Sequence, residues 1–361
     1  VFSINYFESI ESPTISMTIT FLDVDKVTSR LGITGGEIIE LSVKQGDEDE
    51  FNITKKKHRM IVNAVRNGVD DEQRQIVTID CVSLESIINE TTRLNKKFTG
   101  PISGTVKDIM KILSLKKSGF KPKNLSIDQS ANSYSFIGNL KRPFDTIQWL
   151  CSKTQSTNSF GFLFYENLDG YNFKSIDELF KQESYLYKKS GRPLSVEVDG
   201  GKIFEQNLDQ SNDIGVNCRM GMYANKTIYV DIENQTAKTV DFDISQLKLK
   251  KSLVLMDGLE KSPTRLMIKA SDVGVSQKGS KRDDTVPTTE LDEYRNKSYI
   301  RNNLLFSQSL SISIPLNTKL RAGELIECKF PLKKTDKATG NPESDAAGSY
   351  GSDKTNDISG I

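Results

Sequence analysis

The chain repeats itself, and the repeat restricts its architecture more than any local pattern does. Near the start, Thr14, Ser16, Thr18 and Thr20 alternate with Ile15, Met17, Ile19 and Phe21. Near the end, Ser309, Ser311 and Ser313 alternate with Leu310, Ile312 and Ile314. Successive side chains of a strand point to opposite faces, so each segment reads as a strand with one small, polar face and one apolar face. A connector follows in both places. Then Gly35-Gly36-Glu37-Ile38-Ile39-Glu40-Leu41 is matched by Ala322-Gly323-Glu324-Leu325-Ile326-Glu327-Cys328, with Gly36 and Gly323 offset by 287 positions (323 − 36) and both glutamates in register. Such a chain carries two copies of one β module, with the intervening sequence threaded between them.

Local patterns fill in the rest. Residues 1–90 read as a first barrel or sandwich of short strands: after Gly35-Gly36 come Ile38, Ile39, Leu41 and Val43, then Phe51–Thr54, Met60–Val65 and Gln75–Val82, separated by turn-rich Gly46–Asp49 and Asn67–Gln73. At Ser83 the period becomes helical. Leu84, Ile87 and Ile88 form a stripe behind a serine cap, and Val106, Ile109, Met110 and Leu113 form a second. This opens an α/β domain over residues 91–193 that includes Ser133–Ile137 as a strand. Its most legible part starts at Pro143, which suits a first helical position, with Ile147, Leu150 and Cys151 on one face around Trp149. The aromatic run Phe160–Tyr165 predicts a buried strand, Asp169-Gly170 a positive-φ hairpin turn, Tyr171 and Phe173 the return, and Ser175-Ile-Asp-Glu178 a capped helical turn.

The second barrel is expected from residues 194–250 and 304–361, with Thr227–Ile232 as one of its strands, interrupted by a small insertion at 251–303. Within that insertion Thr264–Ala270 reads as a strand, Ser276–Thr285 is polar and charged, and Leu291–Asn303 has the composition of a surface helix. Asp357–Ile361 reads as a last strand beginning after the polar stretch Lys333–Asn356. Because the chain starts at Val1 without a methionine and stops inside that strand, both true ends are expected to lie outside it. The expected class is α+β, mainly β, with two barrel modules, an inserted α/β domain and a smaller insertion.

Composition removes whole classes of function. With Lys+Arg 49 against Asp+Glu 48 in 361 residues, the net charge of +1 leaves no global footprint for nucleic acid or anionic membrane. No run approaches the apolar length of a membrane span. Cys81, Cys151, Cys218 and Cys328 are scattered singly, which fits buried free thiols made in a reducing compartment better than a disulfide frame. His58 is the sole histidine, so neither a histidine zinc site nor a Ser-His-Asp triad is expected, and no metal or cofactor is assigned. Lys55-Lys-Lys-His-Arg59 reads as a solvated flank rather than a phosphate site. Asn225-Lys-Thr227 is a sequon without a secretory route, and Asp241, Asp243 and Asp257 show no carboxylate-pair arrangement and read as surface charges.

The Phe144–Trp149 helix, the Phe160–Glu166 strand, the Asp169–Ile176 return and the Lys319–Glu327 segment, in this order and spacing, resemble the baseplate hub, or central-spike hub, of large contractile-tailed bacteriophages. The likeness runs from Tyr6-Phe-Glu-Ser9 to the end and contains no catalytic signature. It implies that the two barrels are tail-tube-like and that a homotrimer presents them as a pseudo-six-fold ring. Such a ring joins the tail tube or its initiator proteins above to a membrane-puncturing spike protein below. Baseplate wedge proteins are further possible neighbours, and passing DNA makes only transient, non-specific contact. The expected location is the virion's tail baseplate, after assembly in the host cytoplasm. Duplicating a module lets three chains close a ring of six similar surfaces. On this reading Thr14, Ser16, Thr18, Thr20, Ser309, Ser311 and Ser313 face the bore, where small polar side chains neither narrow it nor hold DNA. The alternation is equally that of ordinary solvent faces. Two other functions stay open: the hub of a related contractile injection or secretion machine, and a cell-wall glycan-binding or hydrolytic tail-tip module. Against the latter stand the missing nucleophile-base pair and Trp149, the sole tryptophan, which sits in a helix pattern expected to be buried.

Overall fold

The computed structural model describes the chain except residues 25, 41, 46–47, 53–59, 72–73, 116–122, 158, 190–200, 210–212, 233–234, 245–264, 272–287, 307, 318, 332–354 and 361. The basic run at 55–59, the charged segment 276–285, Asp257 and most of the stretch 333–356 therefore lie outside the described residues. The fold is α+β and mainly β. Contacts divide it into two units, Val1–Asp177 with Asn212–Ser307, and Glu178–Ser211 with Gln308–Ile361.

The first unit begins with β1 (Ser3–Phe7), β2 (Ser16–Asp23), α1 (Val27–Leu31), β3 (Ile38–Ile39), β4 (Ser42–Gln45), β5 (Glu48–Asn52), β6 (Met60–Asp71) and β7 (Arg74–Ser83). Five of these strands form one sheet in the order β1-β2-β7-β6-β3, while β4 pairs with β5. Period-2 alternation decides its faces. Ile15, Met17, Met60, Val62, Val77, Ile79 and Cys81 close a core with Leu168, and the hydroxyl residues of β2 lie on the opposite side. A register shift between Val62 and Ala64 bends β6, as a bulge does, and the sheet curls as half a barrel.

Next come α2 (Leu84–Thr91), β8 (Lys97–Phe98), α3 (Ile102–Leu115), β9 (Asn124–Ile127), β10 (Phe136–Ile137), α4 (Pro143–Cys151), β11 (Phe162–Asn167), β12 (Gly170–Ser175) and α5 (Ile176–Leu179). The sheet β11-β12-β9 packs its aromatic residues against α3 and α4 in a second core built on Val106, Ile109, Ile147, Leu150, Phe162 and Phe173. Every residue of β11 is buried, as its aromatic run predicts. Pro143 opens α4, and the free N–H of Phe144 is taken by the Asn89 side chain of α2 at 2.8 Å, so this helix is capped from another element. Trp149 is half-buried, edge-on to Tyr134 and Phe136.

The chain then adds β13 (Ser184–Lys188), β14 (Glu205–Asp209), α6 (Ile214–Met220), β15 (Ala224–Asp231), β16 (Thr236–Asp243), β17 (Arg265–Ala270), α7 (Thr288–Leu305), β18 (Ser309–Ser313), β19 (Leu325–Pro331) and β20 (Thr355–Gly360). The β15–β16 hairpin, read from sequence as part of the second barrel, instead shares a sheet with β17 and belongs to the first unit. Nor is α7 a surface helix: Asn296, Ser298, Ile300 and Arg301 are buried. Asn296 and Arg301 go inside with partners. The Tyr229 hydroxyl donates to Asn296 Oδ1 at 2.9 Å, Asn296 Nδ2 donates to Thr227 Oγ1 at 3.0 Å, and Arg301 donates to Asp177 at 2.8 Å.

The second unit contains the sheets β13-β19-β20 and β14-β18 around Tyr187, Ile203 and Cys328. Here the sequence repeat becomes geometry. Before β3, the Thr34 N–H donates to Glu37 Oε1 at 3.0 Å and Gly36 has φ +93°. Before β19, the Arg321 N–H donates to Glu324 Oε2 at 2.6 Å and Gly323 has φ +91°. The same turn, closed by the same carboxylate onto the amide three residues back, opens the matching strand in both copies. Both copies also place an antiparallel pair ahead of that turn, Asn5 opposite Thr18 in one and Asn207 opposite Ser311 in the other. In the second copy that pair is opened by the long insertion between β14 and β18.

Candidate functional site

Two arrangements stand out among the described residues: the hydroxyl faces found from sequence, and a buried ionic cluster that was not. Ser16 is exposed and Thr18 and Thr20 are half-buried on β2, whereas Thr14 precedes the strand, in a turn where its N–H and carbonyl both bond the Ser12 hydroxyl. Thr18 donates to Asp80 Oδ1 at 3.1 Å, Thr20 meets Thr78 at 3.3 Å, and Arg66 pairs with Asp80 at 2.5 Å. This face is thus a hydroxyl lattice with one exposed ion pair. On β18, Ser309, Ser311 and Ser313 are all exposed, and their neighbours on β14 include Glu205 and Asn207. The two serine and threonine sets lie in different units and each is set by its own strand.

The buried cluster centres on Glu166, fully buried near the end of β11. Its Oε2 accepts from the Ile15 N–H at 3.0 Å, where β2 begins, and from the Ser83 hydroxyl at 2.7 Å, where β7 ends. Its Oε1 bonds Lys123, whose ammonium also pairs with Glu85 of α2 at 2.9 Å. Ser83, expected to cap α2, occupies the N-cap position but makes no cap bond, because its hydroxyl is turned to Glu166. A second tie runs nearby: the Leu168 N–H donates to Glu8 Oε1 at 2.6 Å. The cluster joins the first sheet to the α/β layer through charges that have almost no contact with water. Burial pushes the Glu166 carboxyl above the ordinary range against the pull of Lys123, with Glu85 adding to the rise. Burial also works against the Lys123 ammonium, but Glu166 and Glu85 outweigh it and hold its pKa above the usual lysine value.

Among the described residues no group of His, Cys, Asp and Glu side chains is placed to hold a metal ion, and no helix is long and apolar enough to cross a membrane. Asp241 is exposed and pairs with Lys226 at 3.4 Å. None of the four cysteines is in a disulfide, and burial pushes the Cys81 thiol up to about 11 and those of Cys151 and Cys328 up as well. Because the thiolate is the reactive form, half-buried Cys218 is expected to be alkylated at least about ten-fold faster than Cys81 or Cys151 in the native chain. Timed iodoacetamide labelling with peptide mapping reads this directly, and equal rates would show that the cores open freely.

No protein-family model matches the chain, and no curated protein does. Its fold is similar to that of the tail protein from Neisseria meningitidis MC58, with a TM-score of 0.53 and 9% identity over 91% of this chain and 81% of that one. Weaker structural matches are a 43 kDa tail protein of prophage MuSo2 from Shewanella oneidensis (TM-score 0.46, 8% identity, 90% and 82% covered) and a prophage tail protein from Listeria monocytogenes EGD-e (0.45, 8%, 91% and 78%). At these identities the likeness is one of fold, and it extends over nearly the whole chain. The architecture is thus a tail-protein fold.

Proposed function

We propose that this chain is a non-enzymatic structural component of a phage-type tail, and within it the baseplate hub that links tail tube to spike. The observation that carries this reading is the duplicated turn at Gly36 and Gly323, which marks two copies of one module in a chain whose fold is that of a tail protein. Three such chains present six similar modules, which is what a connection between a six-fold tube and a three-fold spike requires. The modules are residues 1–90 and, on the contacts of the second unit, strands from 178–211 and 308–361. Ser16, Thr18 and Thr20 with Ser309, Ser311 and Ser313 line the bore, and Thr14 stands at the turn that leads into the first of these strands. DNA passes without being held, since the described lining offers hydroxyls and a neutralised Arg66–Asp80 pair. Assembly takes place in the host cytoplasm, and the virion baseplate is the final location.

The test is the native mass of the complex that a tagged chain brings down from its own source. Three copies with three of a spike-like chain support the hub; a lone 40.4 kDa species, under conditions that keep tails intact, removes the ring. Ser16→Arg and Ser311→Arg, both at exposed positions, are expected to cut DNA delivery at least about ten-fold while particles still assemble. Loss of assembly would place these residues at an interface instead.

A further inference from the structure

The turn that follows β10 in the α/β layer carries a residue its backbone does not favour. The Lys141 N–H donates to the Gly138 carbonyl at 3.1 Å, and the two residues between them, Asn139 and Leu140, have φ +50° and +57°. Asparagine suits such a turn and glycine is its usual companion, so leucine is strained there. Packing does not account for it: Leu140 is 64% exposed, and Ile137, three residues earlier, is 54% exposed. The turn is firmly seated, because the Leu140 N–H donates to the Leu94 carbonyl at 2.8 Å and the Gly138 N–H to the Lys96 carbonyl at 3.0 Å. The described chain runs unbroken through 91–115 and 123–157, so this surface is whole. The charge around the two aliphatic side chains is of one sign. Residues 91–107 and 129–144 contain no Asp or Glu, whereas Arg93, Lys96 and Lys141 flank the turn and Lys97 stands opposite Ile137 in the ladder. The acids that border these segments are engaged elsewhere: Glu90 and Asp145 pair with Arg142, Asp108 with Lys111 and Asp128 with Lys174.

We infer that this turn is a docking knob for an acidic protein surface with an apolar recess, in which Leu140 and Ile137 are buried while the cations around them meet carboxylates at the rim. A strained residue kept exposed in a rigid turn points to use by a partner. An apolar centre inside a charged rim is the anatomy of a protein interface, and the single sign of the rim sets the sign of the partner. The cations are positioned in advance. The Lys96 ammonium lies 4.9 Å from the Phe98 ring centre and that of Lys141 5.0 Å from the Trp149 ring, while Arg93 donates to the Glu90 and Thr92 carbonyls at 2.8 and 2.9 Å. Less side-chain freedom is then lost on binding. Nucleic acid fits this surface less well, since an aliphatic centre offers phosphates no donor and bases no stacking face. This inference stands on the turn and its charges and is independent of the hub reading.

Trp149, the sole tryptophan, lies against Lys141 and reports occupancy of the site through its emission. The probe is a short synthetic peptide alternating glutamate with leucine, added to the full 361-residue chain at low salt. A saturable change in Trp149 emission is expected. Affinity should be at least about ten-fold weaker for a glutamate–serine peptide, and for the Leu140→Asn variant with the original peptide. Because asparagine relieves the turn, Leu140→Asn is also expected to raise the melting temperature of the chain by about 1–3 °C. Four results would overturn the inference. No saturable change, or equal affinity for the two peptides, would remove the recess from the argument. A tighter response to duplex DNA or to phosphatidylglycerol vesicles would make the ligand a phosphate. A lower melting temperature for Leu140→Asn would show that the chain's own packing retains the leucine. An emission change that grows with protein concentration alone would make a second copy of the chain the occupant.

Discussion

Replacing Lys123 with methionine is expected to destabilise the fold by about 3–5 kcal/mol near neutral pH, the range for a buried ion pair broken from one side. The side chain is 3% exposed and stands between Glu85 and Glu166, which are 6% and 0% exposed. Methionine fills similar volume, so little of the loss is packing. What remains is two carboxylates in a layer without water, one of them already holding the start of β2 and the end of β7. The pH dependence follows from the direction of the shifts. The folded-state pKa of Glu166 is raised, and without the lysine it rises further, so the folded variant takes up a proton more readily than the unfolded chain. That contribution is present at low pH and is lost as pH rises through the folded value. The penalty of Lys123→Met is therefore largest on the alkaline side and shrinks toward acid. In the wild type, Lys123 also has a raised pKa, so its share is lost only above the ordinary lysine range. Urea denaturation of both proteins at about pH 5 and about pH 7 tests this, and an equal penalty at the two values would show that shape, not charge, holds the junction.

Why that cluster was not legible in the sequence is a matter of distance along the chain. Helix α4 was visible because Pro143, Ile147, Leu150 and Cys151 encode it within nine residues, and β11 because its aromatic run is continuous. Glu166 was visible only as the acid that ends that run. Its partners at Ile15, Ser83 and Lys123 lie 151, 83 and 43 positions away, and no local period reports contacts of that separation. The same competition redirected Ser83, whose local role as a cap gave way to a buried acceptor that needed a donor. Helix α7 shows the reverse error. Its polar composition reads as a solvent face, yet Asn296 is buried because Thr227 and Tyr229 satisfy it. The repeat was legible for a physical reason too: a turn closed by a glutamate onto the amide three residues back, with a positive-φ glycine between, leaves a short sequence trace wherever it occurs. The hydroxyl faces were legible as alternation, but alternation cannot distinguish a bore from open solvent.

Gly170→Ala is expected to cost about 2–5 kcal/mol, combining backbone strain with a clash that has no flexible group to absorb it. The sequence assigns Gly170 to the turn of the hairpin, but the loop residues are Leu168 and Asp169, and Gly170 already pairs with Asn167 as the first residue of β12. Two constraints meet there. Its φ of +138° lies in a region that residues with a Cβ rarely enter, and the added methyl would sit against the carbonyl oxygen of Asn124, its partner across the parallel β12–β9 ladder. Relief would require β9 to move away from β12, and with it Leu125 and Ile127, which pack on the main α/β core. Gly36→Ala separates the two terms, since φ is +93° there but nothing lies within 4 Å of the new methyl. It is expected to lose only the strain, about 1–2 kcal/mol. Thermal melts of both variants decide the matter: equal shifts would mean that the β12–β9 ladder gives way easily and that close approach to Asn124 is not what requires the glycine.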